Sequence, residues 1–339
     1  MSVFSRIQDK LKPPYIIAEA GINHNGDLDT AKKMVIAAAK AGADAIKFQT
    51  HLPDFEMLKD DVTADYVGES LYDLLSRVAL SKEEHLELKN ISEENNIDFL
   101  STPFSKEAVD LLEELQCPLY KVGSGEATNI PLLQYIAKKN KPMIVSTGMT
   151  SLDEIQKSVE AITKINKQLV LLHCTSTYPT QYKDVRLKVI DVLKAEFPDL
   201  CVGLSDHSQG IYTALGAVSF GVRVIEKHFT CDRNWPGPDQ KASIEPMELE
   251  MLVNGSRAIF EALQNDAKVV LDDEVNVQKM ARESIVSLVD IAKGEIFSTK
   301  NIWVKRPGTG IPASELEHVL GKTAVRPIDS GSLLAYEDF

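Results

Sequence analysis

The stretch VGLSDHSQGIYTALGAVSFGVRVIEKHF (202–229) contains two short apolar runs, VGLSDH (202–207) and VIEKHF (224–229), joined by a segment of helical period. Turn residues bound each run, and the apolar residues are continuous rather than alternating, which predicts strands covered on both faces. Strand, crossover helix, strand is the unit of a parallel α/β fold. Each run also places a histidine at its far end, His207 and His228, twenty-one positions apart.

The same pattern extends toward the N-terminus. YIIAEAG (15–21), AIKFQT (45–50), DFLSTPF (98–104), LYKVGS (119–124), MIVSTG (143–148) and LVLLHC (169–174) bring the runs to eight. Amphipathic stretches such as DTAKKMVIAAAKAGA and SKEAVDLLEELQ predict the crossover helices. Eight such units over about 250 residues predict a (β/α)8 TIM barrel, with an open doubly wound sheet as the alternative. Every run ends in polar residues: Glu19, Lys47 with Gln49, Thr102, Lys121 with Ser124, Ser146 with Thr147, His173, Ser205 with His207, and His228. In a barrel these positions lie at the C-terminal face, where active sites are built.

After the helical segment PMELEMLVNGSRAIFEALQ the chain turns polar, and from Ser284 it reads as short strands and turns. The expected organisation is a barrel over 1–264, a linker over 265–283 and a small β-rich domain over 284–339. That last piece is marginal in size for independent stability.

With 37 Lys and Arg against 50 Asp and Glu, the net charge of −13 argues against nucleic acid or an anionic membrane as the main partner. A phosphorylated substrate then needs locally placed cations. The four cysteines, Cys117, Cys174, Cys201 and Cys231, are far apart and form no C-x-x-C pair, as in a reduced, cytoplasmic protein. No secretory signal pattern opens the sequence, and no apolar window approaches the length of a membrane span.

His207 and His228 fall on neighbouring strand tops roughly 4.8 Å apart, close enough to share one metal ion. The bland alternative is that each imidazole bonds backbone at its own strand end. Two protein ligands would leave further positions for water and substrate oxygens, an open Lewis-acid site. Asp206 and Glu226 are read as alternating away from the histidines and orienting their neighbours. Lys47 and Lys121, with Ser124, Thr102, Ser146 and Ser205, form an anion cradle suited to a phosphate and a carboxylate; solvated rim lysines are the competing reading. Gly123 and Gly125 let the backbone approach a ligand. Glu19 and Glu126 are candidate proton carriers. The Pro/Gly loop RNWPGPDQKASIEP carries Asp239 at the catalytic rim. His24 and His51 border the mouth, whereas His85 and His318 are peripheral and His173 belongs to the core.

In order along the chain, IIAEAGINHNGD, KFQT, STPF, YKVGSGE, STGM, LLHCTSTYPT, GLSDHSQG, IEKHFT, PGPDQKAS and KRPGTGI resemble the sialic acid synthase family, over nearly the whole length. These enzymes condense phosphoenolpyruvate with an N-acetylated aminosugar to make nonulosonic acids. The resemblance implies a divalent metal, manganese before magnesium or cobalt, on His207 and His228. It places phosphoenolpyruvate against Lys47, Thr102, Lys121, Ser124, Ser146 and Ser205, with Gln49 and Tyr178 nearby. It makes Glu19 and Glu126 the acid/base and water-handling carboxylates, Asp239 a sugar-hydroxyl ligand, and Arg306 the reader of the sugar's N-acetyl group from the partner subunit of a domain-swapped homodimer. The segment 284–339 resembles the family's antifreeze-like (SAF, β-clip) domain. The SGE and PGPD segments resemble the neuraminic and legionaminic branches, which implies N-acetylmannosamine as the sugar. The alternatives are 2,4-diacetamido-2,4,6-trideoxymannose of the legionaminic pathway and, behind it, a pseudaminic acid synthase. A metal-dependent barrel hydrolase and a non-catalytic carbohydrate- or ice-binding scaffold remain as rivals from other classes.

Overall fold

The computed structural model describes residues 2–59 and 70–339. The chain divides into two compact units, one ending at Asn265 and one spanning Asp266–Phe339. The helix Glu274–Ala281 lies within the stretch read from sequence as a linker.

The first unit holds eight parallel strands: β1 (Tyr15–Gly21), β2 (Ala45–Thr50), β3 (Asp98–Pro103), β4 (Tyr120–Val122), β5 (Met143–Ser146), β6 (Leu169–Cys174), β7 (Cys201–Asp206) and β8 (Val224–His228). Their order, β3-β2-β1-β8-β7-β6-β5-β4, runs around a cylinder, and β3 and β4 lie side by side across the seam without a hydrogen-bonded ladder. Helices such as Leu28–Lys40, Lys106–Glu114 and Leu152–Thr163 cross between strands, each opened by a side-chain N-cap from Asp27, Ser105 or Ser151. This is the TIM barrel expected from the alternation, not an open sheet.

Successive side chains on a strand point to opposite faces, and here the two faces feed separate apolar clusters. Ile16, Ala18, Ile46, Phe48, Phe99, Tyr120, Leu171 and Ile225 pack outward against the helices. Tyr15, Ile17, Ala45, Leu100, Leu119, Ile144, Val170, Leu172 and Val224 fill the barrel from inside, with Ile7 of the helix Val3–Gln8 packed against them. Gly203 belongs to the crowded interior: a Cβ there would lie 2.4 Å from Val224 O and 2.5 Å from Leu172 Cδ2. Moving one pleat along each inward row changes the chemistry from apolar to polar. Ile17 gives way to Glu19, Ala45 to Lys47, Leu100 to Thr102, Leu119 to Lys121, Ile144 to Ser146, and Val224 to Glu226.

In the second unit, β9 (Ser284–Ser287) and β10 (Ile302–Lys305) pair antiparallel, and isolated bridges join Val286 to Leu333 and Ile291 to Ile328. Ile285, Ile291, Phe297, Ile302, Ile311, Ile328 and Leu334 form its own core, so the β-rich reading of this stretch holds.

Candidate active site

A cavity of about 1000 Å³ opens at the C-terminal ends of the barrel strands. Of the fourteen residues given a catalytic, substrate-binding or metal-binding role from sequence, thirteen line it: Glu19, Lys47, Gln49, Thr102, Lys121, Ser124, Glu126, Ser146, Tyr178, Ser205, His207, His228 and Asp239. Arg306 is exposed in the second unit, just after β10.

The floor is a network of charges. Lys47 Nζ lies 2.6 Å from Glu19 Oε2 and 3.8 Å from Glu226 Oε2, and it donates to Thr102 Oγ1 at 2.9 Å. Lys121 Nζ lies 3.4 Å from Glu226 Oε1 and donates to Ser146 Oγ at 2.8 Å. Ser205 donates to the same Glu226 oxygen at 2.8 Å. The sequence reading of Glu226 is therefore corrected. Residues two apart on a strand share a face, so Glu226 points into the barrel with His228, and it is Lys227 that turns outward. The two ammonium groups are not a bare cradle, because buried carboxylates already balance both.

These carboxylates are held in different states. Burial pushes Glu19 up, and the charge of Glu226 adds to this, while Lys47 opposes it; the balance lies at about 7. Burial also acts upward on Glu226, but the ammonium groups of Lys121 and Lys47 carry it below the usual carboxylate range. Burial raises Glu126 and moves Asp239 to about 6. The close approach of Asp239 relies on Gly21, whose φ of +53° leaves the strand and whose missing Cβ would lie 3.1 Å from Asp239 Oδ2.

The two imidazoles meet as the strand register demands: their centroids are 5.3 Å apart, and Tyr178 lies over His207 at 4.2 Å. His207 Nδ1 donates to Thr175 O at 2.9 Å, which leaves the Nε2 lone pair available. Its Nδ1 also lies 3.7 Å from Cys174 Sγ; against burial, that thiol raises His207 and is itself lowered. Burial and the nearby charges of His207 and Lys47 keep His228 neutral. Its Nδ1 is buried without a hydrogen-bond partner, 3.8 Å from Asp239 Oδ2. A neutral, orphaned imidazole beside a second one with a fixed tautomer suits a pair of metal ligands. Among the described residues, no group of three or more His, Cys, Asp or Glu is placed to hold a metal ion.

Glu126 Oε2 and Glu226 Oε2 are likewise buried without hydrogen-bond partners. Sequence reasoning underused His51, which borders the cavity with Glu56. His85 lies outside the cavity lining, as expected of a residue peripheral to the mouth; it is fully buried and within 3.0 Å of Thr50 Oγ1. His173 is structural, its Nε2 2.6 Å from Val185 O.

Comparison with known proteins gives a family. The NeuB family pattern matches residues 34–268 and the SAF domain pattern residues 282–339. The N,N'-diacetyllegionaminic acid synthase of Campylobacter jejuni is 43% identical, over 96% of this chain and 99% of that protein. The N-acetylneuraminate-9-phosphate synthase of Homo sapiens is 35% identical, over 96% of this chain and 92% of its own. The crystal structure of N-acetylneuraminic acid synthetase from Leptospira borgpetersenii, in complex with citrate, superposes with a TM-score of 0.70 at 36% identity, covering 78% of this chain and 90% of that one. The occupied strand tops of the barrel and these matches agree: the chain belongs to the NeuB family and carries a SAF domain.

Proposed function

We propose that the protein condenses phosphoenolpyruvate with an N-acetylated aminosugar, giving a nine-carbon nonulosonic acid and phosphate. The observation that carries this reading is one cavity in a NeuB-family barrel that combines two buried lysine–carboxylate pairs, a ring of hydroxyls and two imidazoles. In the reaction, C3 of phosphoenolpyruvate forms a bond to the sugar's aldehyde carbon, and the aldehyde oxygen takes a proton. Water adds at C2, and the C–O bond to phosphate breaks to leave a 2-keto acid.

Lys47, Thr102, Lys121, Ser124, Ser146 and Ser205, with Gln49 and Tyr178, hold the phosphate and carboxylate. Lys47 and Lys121 together bring two positive charges, which Glu19 and Glu226 cancel when ionised. A trianion therefore needs further positive charge. A proton on Glu19 provides part of it, consistent with the upward displacement of that group. A divalent ion, manganese in this reading, held by His207 and His228 would supply more and would polarise the aldehyde oxygen as a Lewis acid. Glu19 and Glu126 move the protons, and Asp239 accepts a sugar hydroxyl. Arg306 reads the N-acetyl group from the partner subunit of a homodimer. Four free cysteines support a cytoplasmic setting, and among the described residues no helix is long and apolar enough to cross a membrane.

Three readings of the sugar remain: N-acetylmannosamine, 2,4-diacetamido-2,4,6-trideoxymannose and, behind them, the sugar of a pseudaminic acid synthase. Identity of 43% to the legionaminic relative, against 39% to a pseudaminic acid synthase of the same organism and 35% to the neuraminate one, favours the diacetamido sugar. One wall of the cavity, with Ile22, Met57, Leu71, Leu74 and Leu75, is suited to acetamido methyl groups, of which that sugar has two. The test is phosphate release from phosphoenolpyruvate across a panel of all three sugars with and without divalent metal. Release that requires an aminosugar supports the synthase, and the sugar with the higher kcat/KM decides between the readings. Turnover without phosphoenolpyruvate would indicate a hydrolase, and no turnover with any sugar a scaffold.

A further inference from the structure

A buried amide ties the loop that carries Asp239 to the top of the barrel. The loop leaves β8 after His228 and returns at Ile244, where Ile244 N donates to His228 O at 2.8 Å and Thr230 N donates to Ile244 O at 3.0 Å. Inside that base Asn23, in the turn after β1, reaches across. Its Nδ2 donates to Phe229 O at 2.9 Å and to Ser243 Oγ at 2.8 Å. Ser243 in turn donates to Asp239 O at 2.8 Å. Gln240 Nε2 donates back to Asn23 O at 3.2 Å and to Pro236 O at 3.3 Å. Asn23, Gln240 and Ser243 are all buried. The outer part of the loop is held separately, by Arg233 against Glu245 and Glu248 at the start of the helix Pro246–Ala262.

No group in the Asn23 network titrates, and its ends fix its donors. Main-chain carbonyls only accept. Phe229 O therefore requires the NH2 side of Asn23. Asp239 O takes the hydroxyl proton of Ser243, which leaves Ser243 Oγ to accept from Asn23. Two carbonyls fix the Gln240 amide in the same way, and turning either amide over would set oxygen against oxygen. This arrangement leaves Asn23 Oδ1 and Gln240 Oε1 buried without hydrogen-bond partners. Orphaned acceptors cost stability, so close packing alone does not account for two amides at this place.

The geometry points to Asn23 as a positioning residue: acting through Ser243 it anchors the Asp239 main chain, and so holds the Asp239 carboxylate in the cavity, 3.8 Å from His228 Nδ1. The same NH2 group grips Phe229, the residue after His228. One side chain from β1 thus sets the spacing between a carboxylate on the loop and an imidazole on β8. Asn23 is absent from the cavity lining, so it touches no substrate and acts only through these contacts.

The direct test is hydrogen exchange by mass spectrometry on the full-length protein, comparing the wild type with Asn23→Ala. The reporters are the amides of Ala242 and Ser243, which donate to Asp239 O and Gln240 O at 3.1 and 3.2 Å. Their exchange should quicken roughly tenfold, the effect of one buried hydrogen bond lost, while peptides of β1 and β8 keep wild-type rates. Unchanged loop exchange, or a rise spread equally over the strands, overturns the proposal. Ser243→Ala cuts the same relay with a smaller change and carries the test if Asn23→Ala fails to fold. Where both fold, the double variant should exchange no faster in the loop than Asn23→Ala alone; additive increases would mean that the two residues hold the loop independently. A kinetic arm rests on the synthase reading, in which Asp239 binds the sugar. KM for the aminosugar should rise roughly tenfold in either single variant with KM for phosphoenolpyruvate unchanged. An unchanged sugar KM, or equal rises in both, would remove the link to Asp239. If the wild type turns over no aminosugar, the synthase reading fails, and the exchange rates still decide this inference.

Discussion

Glu226 Oε1 stands 3.4 Å from Lys121 Nζ inside the barrel, with Lys47 Nζ on the other side of the same carboxylate at 3.8 Å. Neutralising it in Glu226→Gln keeps the shape but leaves two buried ammonium groups with one carboxylate. Breaking a buried pair in this way costs roughly 3–5 kcal/mol. Urea denaturation should show a loss of that size. A loss within experimental error of zero would mean that the ammonium groups do not depend on Glu226.

Glu19 makes the stability depend on pH. Its ordinary value is 4.5, and burial followed by the charge of Glu226 lifts it to about 7 in the folded protein. The folded chain therefore keeps a proton that the unfolded chain releases. The associated stability is fully present below about 4.5 and is lost as pH rises through about 7. Denaturation midpoints measured across this window should fall with pH in the wild type, and the fall should be smaller in Glu19→Gln. The same slope in both would contradict the assignment.

Behind the histidines, Lys227 Nζ lies 3.0 Å from Asp206 Oδ2 and also donates to Ser208 O, with both side chains buried. Each member of this pair immediately precedes a site histidine. Lys227→Met should cost roughly 3–5 kcal/mol, because it leaves Asp206 buried and unpaired. The double variant Asp206→Asn with Lys227→Met should recover part of that in the same denaturation experiment. A double variant no more stable than the single would show that the carboxylate is not the origin of the cost.

Arg306 is expected to serve a neighbouring subunit's cavity. Mixing Arg306→Ala with His207→Ala, each inactive alone, should restore activity after subunit exchange, since some mixed dimers then contain one intact site. No recovery despite exchange demonstrated by mass spectrometry would assign the arginine to its own barrel.

Much of this was legible in the residues. Continuous apolar runs can be recognised because both faces of a barrel strand are covered, and the polar run ends mark the rim at which the cavity opens. Glu226 was misread because the period was applied to it with the wrong parity, although His228 two residues on fixes its face. The buried position of Lys227 was hidden because its partner Asp206 lies on a different strand, and pairing across strands depends on register. His51 carries no motif; its contacts with Glu56 and Gln49 depend on the turn after β2. That Lys47 and Lys121 are already compensated is also a tertiary fact, since Glu19 and Glu226 come from β1 and β8.

The central claim is tested most directly with phosphoenolpyruvate carrying 18O in the bridging position between carbon and phosphorus, together with the preferred aminosugar and a divalent metal. Mass spectrometry should find the label in the released phosphate, beside a nine-carbon 2-keto acid, in equal amounts. Label retained in the organic product, or phosphate released without the sugar, would contradict the account.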